Sequence, residues 1–360
     1  MAIIESNARS LRGRLAASTQ LCAVVKANGY GHGAVETARA SLAGGATWLA
    51  VATAIEAAEL REEMSKLPII VLGPLDEDDL ALAIEVKADL VAWTPNFVRR
   101  VSAAGSPQES RLHIKLDTGM GRWGVRGASA AFELATLIDS TPSVQLIGVM
   151  THFANADDLE SSFFANQLST FKSVVGEIRR THPNVIFHAA NSAATLRDVD
   201  SHFDMVRCGI ALYGLDPYQR DPLDWQLNPA LELHSYVAKV TYMQPGESVG
   251  YGRAYKAVVP THIATIPIGY ADGVRRTLSG SIEVLIAGER HAVVGRVSMD
   301  CLAVDLGPTT DVLVGEEVVL IGVSGTERIL AEEVARSWGT INYEVVCALS
   351  GRVERSYLGR

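Results

Sequence analysis

The chain has 360 residues, of which 48% are hydrophobic and 20% charged, and its formal net charge is -9. This composition is typical of a globular protein and excludes extensive intrinsic disorder. The acidic balance argues against nucleic-acid binding, which normally requires a basic face.

The length predicts two domains, or one large barrel with an appendage. No apolar run approaches the roughly 18 residues that cross a bilayer, and the N-terminal sequence MAIIESNARSLRGRL lacks the apolar core of a secretory signal. The cysteines lie far apart without a CxxC pair, which fits neither a disulfide framework nor a zinc site: Cys22, Cys208, Cys301 and Cys347. We therefore expect a cytoplasmic protein with reduced thiols, no metal site and no membrane association.

Short apolar runs recur through the first part of the chain, and such runs are typical of strands buried on both faces. They are Leu21–Lys26, Trp48–Ala52, Pro68–Leu72, Ala88–Trp93, Arg111–Asp117, Leu146–His152, Val185–Ala190 and Asp204–Cys208. Segments with helical period separate most of them: Val35–Leu42, Ile55–Met64, Asp78–Val86, Ala128–Ile138 and Asp158–Arg180. This alternation predicts an α/β fold, an N-terminal (β/α)8 TIM-type barrel, with a doubly wound open sheet as the structural alternative.

The pattern changes at 216–229, where three prolines and the absence of a clear period indicate a linker. Strand-like runs without intervening helices follow, at Leu231–Met243, His262–Ile268, Ile282–Ile286, Ala292–Val297, Cys301–Asp305 and Val318–Ile321, with a helix near Leu330–Trp338. We therefore predict a barrel domain at 1–222 and a mainly β C-terminal domain at 223–360.

Polar residues end several of the predicted barrel strands, and catalytic groups of such barrels lie at those ends. Lys26 ends the first strand within AVVKANGYGHG. Burial lowers the pKa of an amine and suits imine chemistry, although a strand-terminal lysine often simply reaches into solvent. Tyr30 and the glycines beside it suggest a tight loop that holds an anion near the lysine.

Three later strand ends carry further candidates. His152 follows the sixth strand, where a structural histidine is the common alternative, and Asn191 and Ser192 follow the seventh. Ser192 either caps the next helix or helps to bind a phosphate there. Arg207 ends the eighth strand with Gly209 just beyond, where barrels of this kind commonly bind phosphate, and a buried arginine needs a partner.

The loop Gly119–Gly124 reads GMGRWG and matches the dinucleotide-binding pattern literally. That interpretation requires an acid about 20 residues further on, and Asp139 comes too early and lies inside a helical segment. Arg122 in this loop is better suited to binding a carboxylate. In the second domain, Tyr251 lies between glycines in GYGRAY and Met299 lies in VSMD, and such a tyrosine is often only a turn residue.

Taken together and in order, these stretches resemble alanine racemase, a family of pyridoxal 5'-phosphate enzymes. The resemblance runs from AVVKANGYGHG through KLDTGMGRWG, MTHFANAD, NSAA, VRCGIALYG, GYGRAY, PIGYADG and VSMD to NYEVVCALSGR. It implies a barrel with a C-terminal β domain, L-alanine and D-alanine as substrates, and a homodimer with shared active sites.

The resemblance also implies roles for individual residues. Lys26 would form the aldimine with the cofactor, and Arg207 would face its pyridine nitrogen. The cofactor phosphate and its surroundings would be held by Tyr30, His152, Asn191, Ser192, Gly209, Ile210 and Tyr343. Arg122 would bind the substrate carboxylate with Met299 of the partner subunit, and Lys115 matches a position that is carbamylated in some members.

Racemisation needs one base on each face of the α-carbon. The resemblance implies that Lys26 serves the D face and the partner's Tyr251, oriented through His152, serves the L face. A phenol has a reference pKa near 10, so Tyr251 needs help from His152 and from the charge of Arg207. Because an arginine hardly gives up its proton, the pyridine nitrogen would stay neutral and transamination would be suppressed. The product D-alanine would supply peptidoglycan synthesis.

The sequence departs from the family at two places. Family members often begin with a short strand reading like IDLDAL, whereas this sequence opens almost at its first helix, and the position before Met299, often cysteine, is Ser298. Ser298 would line the substrate region, so a broad-specificity amino-acid racemase is the nearest alternative. Decarboxylases of related architecture place a carboxylate where Arg207 stands, and a cofactor-binding protein without activity would lack the second domain. A nicotinamide oxidoreductase and a purely structural role are the remaining alternatives.

Overall fold

The structure is a computed structural model that describes residues 1–105 and 109–359. Two compact units divide the chain. The first comprises Met1–Leu212 with Trp225–Leu227 and Leu358–Arg360, and the second comprises Tyr213–Asp224 and Asn228–Tyr357. The second unit therefore begins at Tyr213, ten residues before the start predicted at 223. Within the described ranges, no helix is long and apolar enough to cross a membrane.

The first unit is a closed barrel of eight parallel strands in chain order. The strands are β1 (Gln20–Val24), β2 (Trp48–Val51), β3 (Ile69–Val71), β4 (Asp89–Ala92), β5 (Ser110–Lys115), β6 (Val144–Met150), β7 (Ile186–His188) and β8 (Met205–Cys208). Almost all their residues are buried, as expected for strands covered on both faces. The predicted barrel is confirmed, and the open-sheet alternative is wrong because β1 also pairs with β8.

Helices accompany the barrel strands. They are α1 (Ala2–Gly13), α2 (Lys26–Tyr30), α3 (Ala34–Ala43), α4 (Ala54–Glu63), α5 (Glu77–Glu85), α6 (Pro95–Ala103), α7 (Ala128–Ser140), α8 (Phe163–Thr181) and α9 (Ser192–Arg197). The helix predicted from Asp158 begins only at Phe163. The reason is local, because the Asp158 carboxylate accepts hydrogen bonds from the amides of Glu160 and Ser161 and forms a turn instead.

The second unit is mainly β, as predicted. An eight-stranded antiparallel sheet and a two-stranded ribbon are built from β9 (Leu233–Tyr236), β10 (Lys239–Met243), β11 (Ser248–Val249), β12 (Tyr255–Lys256), β13 (Thr261–Ile266), β14 (Glu283–Ile286), β15 (Glu289–Val294), β16 (Leu302–Gly307), β17 (Glu317–Ser324) and β18 (Glu327–Ile329). Two helices follow, α10 (Ala331–Trp338) and α11 (Asn342–Cys347). The run predicted as one strand at Leu231–Met243 is two strands, since β9 pairs with β17 and β10 with β13.

The segment predicted as a linker is ordered by hydrogen bonds. Asp216 is fully buried in the second unit, and its carboxylate accepts the amides of Tyr218 and Arg220 at 3.0 and 2.9 Å. A short 3-10 helix at Pro222–Trp225 follows. The prolines there restrict the backbone of a compact turn rather than marking a flexible connection.

Gly148 of β6 tests how tightly the barrel interior is packed. A Cβ at this position would collide with Nδ1 of buried His113, whereas a Cβ at Gly176 in α8 would meet nothing within 4 Å. We expect Gly148→Ala to lower the free energy of unfolding by about 1–3 kcal/mol through overpacking. The matched change Gly176→Ala should leave it unchanged or raise it by up to about 1 kcal/mol. Urea denaturation of both variants measures this, and equal stability of the two would contradict it.

Candidate active site

The predicted residues of the first unit gather at one end of the barrel, at or just beyond the carboxyl ends of its strands. Lys26 follows β1 and Lys115 ends β5, while Arg122 lies in the loop after β5. The remaining candidates come from the ends of the last three strands: His152, Asn191, Ser192, Arg207, Gly209 and Ile210. Parallel strands in a closed barrel place these positions on one face, so the candidates of this unit lie where the sequence predicted them.

The turn that carries Lys26 is left-handed. Ala27, Asn28 and Gly29 have φ of 53°, 51° and 60° with ψ near 50°, 50° and 44°, and Tyr30 has φ of 52°. For residues other than glycine this conformation costs roughly 1–2 kcal/mol each. Neighbouring groups hold the turn, since the Glu56 carboxylate accepts the Ala27 amide at 2.6 Å and the Asn28 side chain accepts the Ala34 amide at 3.0 Å.

Glu56 links the ends of the first two strands. One carboxylate oxygen accepts the Ala27 amide, and the other accepts the Ala52 amide at 2.7 Å and the Thr53 amide at 3.2 Å. Thr53 in turn caps α4, which completes a capping box with Glu56 at its third residue. Glu56 is not among the site residues predicted from the sequence. The Thr-x-x-Glu spacing predicts the cap, but it does not predict the bond to the neighbour of Lys26.

Arg207 is 3% exposed and its terminal nitrogens are fully engaged. Nη1 donates to Nδ1 and the carbonyl of His188, each at 3.0 Å. Nη2 donates to the carbonyls of Thr151 and Ala189 at 2.8 and 3.1 Å, with Nδ1 of His152 at 3.3 Å. The Nε–H group makes no hydrogen bond with any residue in the described ranges. Burial lowers the pKa of Arg207 to about 10, so it remains a cation near neutral pH.

Two other basic groups at this end of the barrel, His152 and Lys115, have lowered pKa values. Burial first, and then the charges of Lys115, Arg207, Arg122 and Lys26, hold the pKa of His152 well below its ordinary value. Burial, followed by the charges of Arg207 and Arg122, likewise holds the pKa of Lys115 well below the ordinary value of a lysine. With Nδ1 facing a guanidinium donor, neutral His152 carries its proton on Nε2.

Ser192, Gly209 and Tyr30 meet at the ends of β7 and β8. The Ser192 hydroxyl oxygen accepts the amides of Gly209 and Ala211 at 3.0 and 3.3 Å. A Cβ at Gly209 would collide with the Tyr30 hydroxyl, so glycine is required for that hydroxyl to lie there. Asn191 caps α9 by accepting the Ala194 amide at 3.0 Å.

Asp117 organises the GMGRWG loop. One Asp117 oxygen accepts the amides of Gly119 and Gly121 at 3.1 and 2.9 Å, and Arg126 donates to the other. Burial raises the pKa of Asp117, but these hydrogen bonds outweigh it and lower the pKa below its usual value. Arg122 is exposed, stacks on Trp123 at 4.9 Å, and forms no hydrogen bond or ion pair with the described residues.

The other three predicted residues belong to the second unit. Tyr251 is 68% exposed and begins a short 3-10 helix, and Met299 is 51% exposed. The main-chain carbonyl of Met299 accepts the Ala271 amide at 3.0 Å, and that of Ser298 accepts the Tyr270 amide at the same distance. Tyr343 lies in α11 and is partly buried.

A parallel barrel with a lysine, an arginine and a histidine at the carboxyl ends of its strands is typical of enzymes that bind charged substrates or cofactors at that face. The family model for the alanine racemase N-terminal domain matches residues 1–217, and that for the C-terminal domain matches residues 230–357. The chain therefore belongs to the alanine racemase family and is an isomerase.

Curated relatives and solved structures agree with this assignment. The alanine racemase of Geobacillus stearothermophilus is 43% identical over 358 residues, covering 98% of this chain and 91% of its own. Alanine racemase 1 of Bacillus subtilis is 39% identical over 360 residues, with 99% and 91% covered. The crystal structure of alanine racemase from E. faecalis is 38% identical and superposes with a TM-score of 0.93, covering 99% and 96% of the two chains.

Glu56→Gln tests the brace on the Lys26 turn. An amide presents an N–H₂ group to one of the backbone N–H groups that the two carboxylate oxygens now accept. We expect the free energy of unfolding to fall by about 1–3 kcal/mol. Glu59→Gln, an exposed position on the same helix, is the matched control and should change it by less than about 0.5 kcal/mol. Indistinguishable thermal melting of the two variants would show that Glu56 does not brace the turn.

Proposed function

We propose that this protein interconverts L-alanine and D-alanine with pyridoxal 5'-phosphate as cofactor. The observation that carries the proposal is the set of donors at the barrel end, Lys26, Ser192 and Arg207, in a chain that belongs to the alanine racemase family. The relatives that bear this name match the chain along nearly its whole length.

Ser192 and Arg207 each have a hydrogen-bond donor that fits a group of the cofactor. Ser192 uses its oxygen to accept two amides, so its hydroxyl hydrogen is available to an anionic phosphate oxygen. The Nε–H of Arg207 is available to a pyridine nitrogen that accepts a hydrogen bond. Lys26 would hold the cofactor covalently, and the phosphate would lie among Tyr30, Gly209, Ile210 and Tyr343, with Asn191 holding the helix beside it.

Racemisation moves a proton off one face of the α-carbon and returns a proton to the other. When bound, the cofactor supplies the electron sink that acidifies the α-proton. The Lys26 amine, freed from the cofactor when the amino group of the substrate takes its place, would exchange the proton on the D face. The hydroxyl of the partner's Tyr251 would exchange it on the L face, which requires a homodimer with shared active sites. The 68% exposure of Tyr251 supports its contribution to a second copy.

His152 would assist the tyrosine. Its Nδ1 accepts from Arg207, so its Nε2–H is the donor that remains to stabilise a phenolate. Because its pKa is held low, the imidazole stays neutral and keeps this role near neutral pH. Arg207, a cation that retains its proton, would leave the pyridine nitrogen neutral and so restrain transamination.

Arg122 would bind the substrate carboxylate, with Met299 of the partner subunit beside it. Its guanidinium has no competing acid among the described residues, and stacking on Trp123 fixes one face of it. Lys115 is a candidate for carbamylation, because a neutral amine is the form that reacts with carbon dioxide and its pKa is held low. The resulting anion would stand near Arg122, whose charge contributes to that shift.

The four free cysteines favour work in a reducing compartment, and we place the protein in the cytoplasm. D-Alanine made there would supply peptidoglycan synthesis.

The reaction is tested by incubating the purified protein and pyridoxal 5'-phosphate with separate L-amino acids, followed by chiral chromatography. We expect D-product from L-alanine and little from amino acids with larger side chains. D-product from several of them would replace this proposal with a broad-specificity racemase and give Ser298 functional weight. No D-product from any, with cofactor bound, would overturn the racemase proposal.

Tyr251→Phe tests the base on the L face. Removing the hydroxyl should slow the conversion of L-alanine by about 10²- to 10⁴-fold, the range for a lost general base. The absorption spectrum of the bound cofactor should stay unchanged, because Lys26 still holds it. Tyr242→Phe, an exposed tyrosine of β10, is the control and should retain the wild-type rate. A normal L-to-D rate in Tyr251→Phe would exclude the two-base assignment.

A further inference from the structure

Four buried polar side chains form a chain of hydrogen bonds through the barrel interior. Asp89 of β4 contacts His113 of β5 at 3.1 Å between Oδ2 and Nε2. His113 Nδ1 contacts His188 Nε2 at 2.9 Å, and His188 Nδ1 contacts Arg207 Nη1 at 3.0 Å. All four residues are at most 3% exposed. We call this set the barrel relay.

A glycine makes the relay possible. Strand β6 lies between β5 and β7, and Gly148 stands beside His113 in the β5–β6 register. A Cβ at this position would occupy the place of His113 Nδ1, the atom that meets His188. The gap in β6 is therefore the passage through which the two imidazoles reach each other.

The chemistry of its ends assigns every proton in the relay. A guanidinium only donates, so His188 Nδ1 accepts and its proton lies on Nε2. That proton is donated to His113 Nδ1, which places the His113 proton on Nε2, facing the Asp89 carboxylate. The hydrogen bonds thus run in one direction from the cation to the anion, and both imidazoles are neutral. Burial and then the charge of Arg207 hold the pKa of His188 well below its ordinary value, in agreement.

Asp89 is the anion at the end of this direction. Arg207 forms no ion pair with any acid in the described ranges, and its other acceptors are main-chain carbonyls and His152. The second oxygen of Asp89 accepts Nε of Arg111 at 2.8 Å at the more exposed end. A carboxylate is required here, since each of its oxygens accepts a donor whose direction is fixed.

We propose that Asp89 and His113 are positioning residues for Arg207, acting through the tautomer of His188. By fixing His188 as an acceptor, they hold the guanidinium in the orientation that leaves Nε–H available to the cofactor ring. This inference rests on the proposed function, because it concerns the same site. If the relay lost its direction, a proton on His188 Nδ1 would face an Arg207 N–H group, and the two donors would repel.

The first test is the tautomer of His188 in the wild-type holoenzyme. Long-range ¹H–¹⁵N correlations of ¹⁵N-histidine-labelled protein distinguish a protonated from an unprotonated ring nitrogen, and His188→Gln and His113→Gln assign the signals among the 9 histidines. We expect His188 and His113 each to carry the proton on Nε2 alone. A proton on Nδ1 of His188 would overturn the proposal. This readout does not depend on racemisation, so it remains decisive if the proposed function fails.

The second test changes the anion. Asp89→Asn should give a mixture of His188 tautomers and lower kcat/KM for alanine at least about tenfold, the value of one lost buried hydrogen bond. Arg111→Met is the matched control, since it removes the other partner of Asp89 and leaves the relay intact. A single unchanged His188 tautomer in Asp89→Asn would overturn the role of the carboxylate.

The third test separates position from packing. His113→Gln retains one acceptor and one donor at the end of the side chain and should recover most of the wild-type kcat/KM, whereas His113→Leu removes both and should not. Equal kcat/KM for the two, in variants whose thermal melting is also equal, would assign His113 a packing role alone. Loss of activity in the wild-type protein itself would instead count against the proposed function.

Discussion

The pairing of β1 with β8 closes the barrel, and the positions of the candidate site residues of the first unit depend on it. In this parallel register, Cys22 lies opposite Arg207 and Ala23 opposite Cys208. The first strand, which leads into Lys26, is thereby brought beside the last strand, which carries Arg207. The ends of β1 and β8 are far apart in the sequence, but the backbone hydrogen bonds between these strands bring them together. This placement does not depend on a contact between the side chains of Lys26 and Arg207.

Closure of the barrel also buries the charged guanidinium of Arg207. Arg207 points into a region of low polarity, where an unpaired cation is costly. Three main-chain carbonyls and the imidazoles of His188 and His152 accept hydrogen bonds from the guanidinium. The Asp89 carboxylate is linked to it through His113 and His188. No acid contacts Arg207 among the described residues, so no direct ion pair neutralises its charge.

The fold class could be predicted because strands that are buried on both faces appear in the sequence as short continuous apolar runs. Each of the eight predicted runs overlaps a barrel strand. Lys26, His152 and Arg207 could be predicted as site residues because they are polar residues at or near the ends of these apolar runs. Asp89, His113 and His188 could not, since each lies inside a predicted strand, where a satisfied structural role is the ordinary expectation, rather than at its carboxyl end. Their hydrogen-bond partners lie on other strands, and the local sequence does not show which side chains of different strands come into contact.

In the second unit, the local sequence predicts neither the candidate site residue nor all of the strand ends. Nothing in the local pattern of GYGRAY distinguishes Tyr251 from a turn residue, and its 68% exposure alone would assign it no role. Its significance came from resemblance to a family. Strand ends such as that of Leu231–Met243 were also misplaced there, because a change of pairing partner between β9 and β10 depends on strands that come later in the chain.

The left-handed turn at Ala27–Tyr30 has a consequence for the order of folding. Its backbone is unfavourable in isolation, so the segment cannot nucleate structure and must wait for the groups that stabilise it. Glu56 can accept the Ala27 amide only once β2 and the start of α4 have formed next to β1. We therefore expect the loop that carries Lys26 to become ordered only after β1, β2 and the start of α4 have come together.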